Sequence, residues 1–237
     1  MNPLPGAVGV SGLRVYDWPT ADGLCGGSPH VHLACSEAYV VIEGKGRVQT
    51  LNTGGFAETH LEPGTVLWFT PGTIHRLVND DGGLRIVVIM QNDGLPEAGD
   101  AVFTFPPDVL DDPSVYARAA TLSPPREAAA RSRRDLAISG FTRLRERAEA
   151  GDREALEDFY RSAAWLKAPL LRDWEHRWRS GALAAAERTG EQLRRMGDGD
   201  WSHLAEAAVH RLEPSAEEDR AYGMCGRLDT YRPSSTS

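Results

Sequence analysis

The sequence predicts an α+β protein, with an antiparallel β-barrel or sandwich over residues 1–110 and an α-helical region over 111–237. Three observations predict it. Between residues 30 and 90, β-rich runs of four to seven residues alternate with turn signals. Past Phe105-Pro106-Pro107, β-branched residues thin out and Ala, Arg, Glu and Leu dominate. In the second half, apolar residues then recur at the three-or-four spacing that lays a wide stripe along one helix face.

The strands follow in order. Residues 12–18 read as an edge strand, and the runs 38–43, 47–51, 56–61, 66–69, 75–79 and 84–90 are each closed by Gly, Pro, Asn or Asp. Hairpin chemistry at each joint predicts an antiparallel meander, and such even spacing suits a closed barrel or sandwich without exposed edges. A linker is placed near 106–125 and a helix over 126–149, punctuated by Gly151-Asp152. The next stripe runs through Leu156, Phe159, Tyr160, Ala163, Leu166, Leu170, Leu171, Trp174 and Trp178, with Pro169 kinking or splitting it and Gly181 ending it. Residues 182–196 give a further helix, and Trp201–Leu212 a last one. Residues 221–231 (AYGMCGRLDTY) are expected to return to the barrel as a strand or lid, bringing Cys225 with them, and 233–237 to fray. Trp165, Trp174, Trp178 and Trp201 are too many for one helix hairpin to cover, so the helices are expected to pack on the barrel or on a second subunit of a homodimer.

A chain of 237 residues, 41% hydrophobic, can bury a core. Its net charge of −8 comes from residues 1–120, which hold 6 Lys+Arg against 14 Asp+Glu, while 121–237 hold 20 against 20. No basic face is written here, which argues against nucleic acid as a partner. Residues 1–18 contain no basic stretch before Arg14 and no long apolar run, so the expectation is a cytoplasmic protein without signal peptide or membrane span. Cys25, Cys35 and Cys225 are few, odd in number and far apart, and read as reduced thiols.

His30-Val31-His32 has the spacing that points both imidazoles to one face of a strand. Glu37 has the wrong parity to join them on a simple strand, so a bend or bulge near Ala34–Ser36 must turn it inward. His75 follows the turn Pro71-Gly72-Thr73-Ile74. An isolated His-x-His more often marks surface or core histidine than a ligand pair. Glu37 alters that balance, because a carboxylate beside the apolar run Ala38–Ile42 needs a cation inside. Three imidazoles and a carboxylate form a borderline-to-hard donor set, suited to Fe, Mn, Ni, Zn or Cu as a divalent ion.

These residues resemble the cupin superfamily. Its first motif is Gly, then His-x-His, three or four residues, Glu, six residues and Gly; here Gly26 and Gly27 precede His30 and His32, and six residues separate Glu37 from Gly44. Its second motif is matched by Gly64, Thr70-Pro71-Gly72, His75 and Asn79, with Thr70 standing where the pattern has Pro. The resemblance covers about residues 12–105. It implies a jelly-roll (double-stranded β-helix) barrel holding one divalent transition metal (Fe, Mn, Ni or Zn) on His30, His32, Glu37 and His75. Its implied activities range over non-haem iron dioxygenases, sugar isomerases and epimerases, decarboxylating enzymes and plain binding proteins.

Four protein ligands leave a coordination position open, as a catalytic site requires. Gln49, Arg76 or Leu77, Arg85 and Gln91 are candidates to line the cavity, and Arg85, Gln49 and Gln91 are the catalytic candidates. Arg85, set between Leu84 and Ile86, either faces solvent or clamps a substrate anion. Glu43 and Glu62 are the acids near enough by position to act as a second base, and neither is clearly dedicated to that role. The expectation is therefore an oxygenase-type oxidoreductase acting on a small polar metabolite, with a sugar isomerase or epimerase and a non-catalytic binder as alternatives. Tyr39, Trp68, Met90 and Phe103 read as core, His60 as exposed, Gly44 and Gly46 as turn residues, and Cys225 as unreactive for want of an identifiable histidine partner.

Overall fold

The computed structural model describes residues 4–233. Two antiparallel sheets face each other across an apolar interior, and helices cover one of them. The strands are β1 (Gly9–Val15), β2 (His30–His32), β3 (Glu37–Glu43), β4 (Gly46–Asn52), β5 (Gly55–Leu61), β6 (Val66–Phe69), β7 (Ile74–Asn79), β8 (Arg85–Met90), β9 (Ala101–Phe103), β10 (Leu212–Pro214), β11 (Ala221–Tyr222) and β12 (Gly226–Pro233). A seven-stranded sheet has the order β10-β12-β1-β8-β3-β6 with β11 on β12, and a five-stranded sheet has the order β5-β4-β7-β2-β9.

The strand positions agree with the sequence expectation to within a residue or two, but the pairing is not a meander. Consecutive strands mostly alternate between sheets, and β4–β5 is a true hairpin, in register from Gly46↔Leu61 to Asn52↔Gly55. β1 lies between β8 and β12, so it is an interior strand and not the expected edge. β12, from the far end of the chain, pairs with it from Ser11↔Thr230 to Val15↔Gly226. The expected return of 221–231 as a strand is therefore present, and the larger sheet draws on both ends of the chain.

Strand alternation sends Leu13, Val15, Tyr39, Val41, Val48, Leu61, Leu77, Ile86 and Val88 into the barrel interior, where Cys225 joins them. The opposite face of the five-stranded sheet presents Val31, Leu51, Ile74 and Val102, and on these pack Phe105, Leu110, Tyr116, Phe141, Leu156 and Phe159 of the helical region. Each such fully buried side chain contributes about 1.5–3 kcal/mol. The region expected to be a linker contains α1 (Pro107–Leu110) and α2 (Pro113–Ala120), the latter capped by the Asp112 carboxylate on the Ser114 and Val115 amides. The long helix α3 (Arg126–Glu149) follows, then α4 (Glu154–Lys167).

Pro169 splits the stripe, and α5 (Leu171–Trp178) resumes after it. Gly181 does not end this segment, because a wide helical turn at Arg179–Leu183 carries it directly into α6 (Ala184–Gly197). The helix expected over 201–212 is reduced to one turn at Ser202–Glu206, since Leu204 and Val209 find nothing to bury against. Of the four tryptophans, Trp174 is buried and its indole N–H donates to the Ala98 carbonyl at 3.1 Å, while Trp165, Trp178 and Trp201 are exposed. Trp68, expected in the core, is 72% exposed on the outward face of edge strand β6. Apart from Pro233, the expected frayed tail lies outside the described residues. No described helix is long and apolar enough to cross a membrane.

Candidate metal centre

β2 and β7 run side by side with His30 directly opposite His75. Cross-strand partners share a face, so both imidazoles enter the interior, and the two-residue period adds His32. Of the expected bend or bulge near Ala34–Ser36, it is a bend at residues 33–34 that brings Glu37 in. The chain leaves the five-stranded sheet after His32 and starts β3 of the other sheet at Glu37, so the carboxylate approaches from the opposite wall. Gly72 sits at φ +86° in the turn before His75, a conformation that favours glycine, and its N–H donates to the His32 carbonyl at 2.9 Å. The Tyr160 hydroxyl of α4 donates to the Gly72 carbonyl at 2.7 Å, tying the helical region to that turn.

His30, His32, Glu37 and His75 are all buried, and one ligand atom from each lies within 4.8 Å of the others. Each Nδ1 is engaged on the far side of its ring. His30 Nδ1 meets the Ser28 carbonyl at 2.9 Å, His75 Nδ1 the Thr73 carbonyl at 3.1 Å, and His32 Nδ1 the Asp100 carboxylate at 2.9 Å. With Nδ1–H donating outward, each Nε2 presents a lone pair inward. His30 Nε2 and His75 Nε2 stand 3.1 Å apart, and Glu37 Oε2 lies 3.0 Å from His75 Nε2 and 3.4 Å from His32 Nε2. Glu37 Oε2 is nevertheless a buried oxygen with no properly directed donor. Lone pairs and a carboxylate oxygen facing one another with no donor between them fit one divalent cation.

The electrostatics of His30 and Glu37 agree, whereas His32 must give up a proton in order to ligate. Burial, aided by repulsion from His75 and His32, pulls His30 well below the usual imidazole range, favouring the neutral form that ligates. Burial also pulls on His32, but the Asp100 and Glu37 carboxylates outweigh it and raise it to about 9. Glu37 is lowered well below the carboxylate range, because the His75 and His32 contacts overcome a larger burial effect. Asp100 was not singled out in the sequence. Fully buried, it also accepts from the Leu33 and Ala34 amides at 3.1 and 2.7 Å, fixing both the His32 ring and the chain where it changes sheets.

The cluster opens on a cavity of about 310 Å³ whose walls include Leu13, Tyr39, Val88, Met90, Met224 and Leu228. A larger cavity of about 590 Å³ lies between α1, α3 and α4, away from these ligands, and its lining lacks any such donor set. The four convergent donors belong to the smaller one. Arg85 is half exposed and paired with Glu43 at 2.8 Å, which settles it on the solvent side. Gln91 is exposed and accepts from the Ser36 amide at 3.2 Å. Gln49 is buried on the outer face of its sheet, donating to Glu58 at 2.8 Å. Arg76 is in register with Gln49 on that same outer face. None of these lines the metal cavity.

Arg76 has a separate role. It is 1% exposed, and the Asp22 carboxylate closes over its Nη1. Asp22 carries the opposing effects of its own partial burial and of Arg76 and Thr20, and the latter bring it from 3.8 to about 2. A depressed carboxyl stabilises above its unfolded value, and that stability is lost as pH falls through the folded value. Asp22→Asn is expected to lower stability at pH 7 by about 1–2 kcal/mol, allowing for solvent at Asp22. The gap to wild type should close between about pH 4 and pH 2, as followed by urea unfolding across that range. A gap independent of pH would show that the ion pair is not its source.

Residues 21–90 match the cupin domain family. No curated protein matches the chain. Among solved structures, an uncharacterized conserved protein with a double-stranded β-helix domain from Klebsiella pneumoniae subsp. pneumoniae MGH 78578 is 22% identical over 37% of this chain and 67% of that one, with a TM-score of 0.28. The capsular polysaccharide assembling protein CapF of Staphylococcus aureus is 20% identical over 43% of this chain and 29% of its own, with a TM-score of 0.34. WlaRA of Campylobacter jejuni, a TDP-fucose-3,4-ketoisomerase, is 10% identical over 40% and 64%, with a TM-score of 0.32. The chain spans less than two thirds of these last two proteins, and overlap of this extent says nothing of substrate.

Proposed function

This chain carries a domain of the cupin superfamily, and from that premise we propose that it is a metal-dependent enzyme of the non-haem oxygenase type, converting a small metabolite inside the barrel. His30, His32, Glu37 and His75 would hold one divalent ion, with Asp100 fixing the His32 ring. A bound ion supplies oxidation by dioxygen if it is Fe(II), or Lewis acidity if it is Mn(II), Ni(II) or Zn(II). The observation that favours oxidation is the composition of the cavity wall. Isomerisation by proton transfer needs a positioned base near neutral pKa. Among the described residues the lining has no imidazole beyond the ligands, and its remaining carboxylate is Glu97, which is exposed at the rim. Glu43 is taken up by Arg85, and Glu62 is exposed. Burial pushes the Tyr39 hydroxyl well above its usual range and the Cys225 thiol up to about 12, so both stay protonated at pH 7. The walls are mainly apolar, which suits a reactive oxidant better than proton shuttling.

The test is metal analysis of untagged protein by plasma mass spectrometry, followed by oxygen-electrode measurements on Fe(II)-loaded protein with a panel of small organic acids. Near-stoichiometric iron and substrate-dependent oxygen uptake are expected. Stoichiometric Mn, Ni or Zn without oxygen uptake would move the reading to a sugar isomerase or epimerase. Protein that binds no ion on titration would leave a binding barrel.

A further inference from the structure

The cavity at the four ligands is not closed by the barrel alone. Arg133 of α3 and the segment Tyr222–Cys225 line it together with the strands. Arg133 is 8% exposed and held by two backbone acceptors, donating from Nη1 to Ala120 at 3.2 Å and from Nη2 to Gly223 at 2.8 Å. The Tyr16 hydroxyl donates to the same Gly223 carbonyl at 3.1 Å, so the guanidinium is fixed in place. Its Nε–H is buried and has no acceptor. Each Nη spends one of its two N–H donors on these carbonyls, so the guanidinium of this wall residue keeps donors for an acceptor from a ligand.

The balance of charge points the same way. Apart from the metal-ligating imidazoles, Arg133 is the cation in the lining, and Glu37 is its buried carboxylate. A divalent ion is balanced by Glu37 and by Asp100 behind His32, so Arg133 adds one positive charge to a lining whose other carboxylate, Glu97, is exposed. Uncompensated positive charge in an apolar enclosure is unfavourable until an anion enters. About 310 Å³ is at the small end for ligand pockets.

We propose that Arg133 is the specificity-determining residue of this cavity, and that its ligand is a small organic carboxylate with an apolar body, the carboxylate accepting from the Arg133 guanidinium. This rests on the metal-enzyme reading for its purpose, but not for its test. The helical region thereby supplies a substrate contact as well as a cover for the sheet.

Hexanoate and its neutral isostere hexanamide serve as probes, titrated calorimetrically into zinc-loaded and metal-free protein, with zinc content measured separately. In wild type, hexanoate is expected to bind at least tenfold tighter than hexanamide with or without zinc. Arg133→Gln should abolish that preference with zinc content unchanged, and Arg133→Lys should restore part of it. A preference that survives Arg133→Gln overturns the proposal, as does hexanoate binding that requires zinc and ignores Arg133, since the carboxylate then sits on the metal and Arg133 is only a structural tie. Should Arg133→Gln fail to fold, Arg133→Lys carries the test, since it keeps the charge and loses the fork of donors. A hexanoate preference reduced at least threefold with zinc retained then supports the proposal, and an unchanged preference overturns it. Wild type that takes up no zinc yet prefers hexanoate would sink the metal reading and leave this one standing.

Discussion

Replacing His75 with Ala is expected to reduce bound metal from near one ion per chain to a trace, with any oxygen-consuming activity lost in parallel. His75 is fully buried, and its Nε2 stands 3.1 Å from His30 Nε2 and 3.0 Å from Glu37 Oε2, so it occupies the middle of the donor set. Losing it leaves three donors where four converged, and the affinity loss should exceed the 10–100-fold typical of changing a supporting residue. Asp100→Asn supplies that milder case. It keeps shape while weakening the acceptor for His32 Nδ1, and is expected to cost about 10–100-fold in metal affinity with the ligand set intact. Glu37→Gln separates charge from shape, since an amide is a far weaker partner for a divalent ion. The barrel should remain folded in all three variants, because its interior is built from Leu13, Val15, Val41, Val48, Leu77 and Ile86 and not from the site. Metal analysis, with circular dichroism for the fold, decides the matter. Equal metal in wild type and His75→Ala would place any bound ion elsewhere.

The four-residue cluster was legible because its signals are local. His30 and His32 share a face through strand period, and the turn Pro71–Ile74 delivers His75 within a few residues. Glu37 was legible as a member of that cluster but not in its geometry: periodicity says which residues share a face, but not which sheet a strand joins. That same silence turned the expected meander into strands that alternate between sheets, and moved β1 from the edge to the interior. Asp100 lies 68 residues from the imidazole it orients, and no pattern links such a pair. A lone Asp ahead of the apolar Ala101–Phe103 was the available hint, because a carboxylate buried there must be paired. The helices divide along the same line. α3 and α4 were foreseen because their apolar faces meet a sheet, whereas 201–212 has apolar residues at helical spacing but no surface to receive them. Arg133 was illegible as a wall of the cavity because an arginine in a polar helix reads as solvent-facing until the helix is docked.

The second large effect concerns the end of the chain. Gly226 opens β12 opposite Val15, and a Cβ there would lie 2.0 Å from the Arg14 carbonyl oxygen and 2.7 Å from its carbon. β1 cannot yield, since β8 holds its other edge in register from Gly9↔Met90 to Arg14↔Arg85. β12 must therefore lift. Gly226→Ala is expected to destabilise the protein by about 3 kcal/mol, near the upper end for a forced steric insertion. At about 2–4 °C per kcal/mol for a chain of this size, that lowers the melting temperature by about 6–12 °C. Its reach should be selective. None of His30, His32, Glu37 and His75 lies on β12, so any metal affinity of that cluster should change little. Met224, Cys225 and Leu228 do line the cavity, so carboxylate binding should weaken together with the strand. Amide hydrogen exchange by mass spectrometry should show lost protection over 221–233 and kept protection over β3 and β7. Unchanged melting and exchange would mean that β12 does not dock on β1 as described. Loss of metal together with the strand would mean that the barrel and its closing segment unfold as one cooperative unit, with the cavity wall and the donor set sharing a single stability.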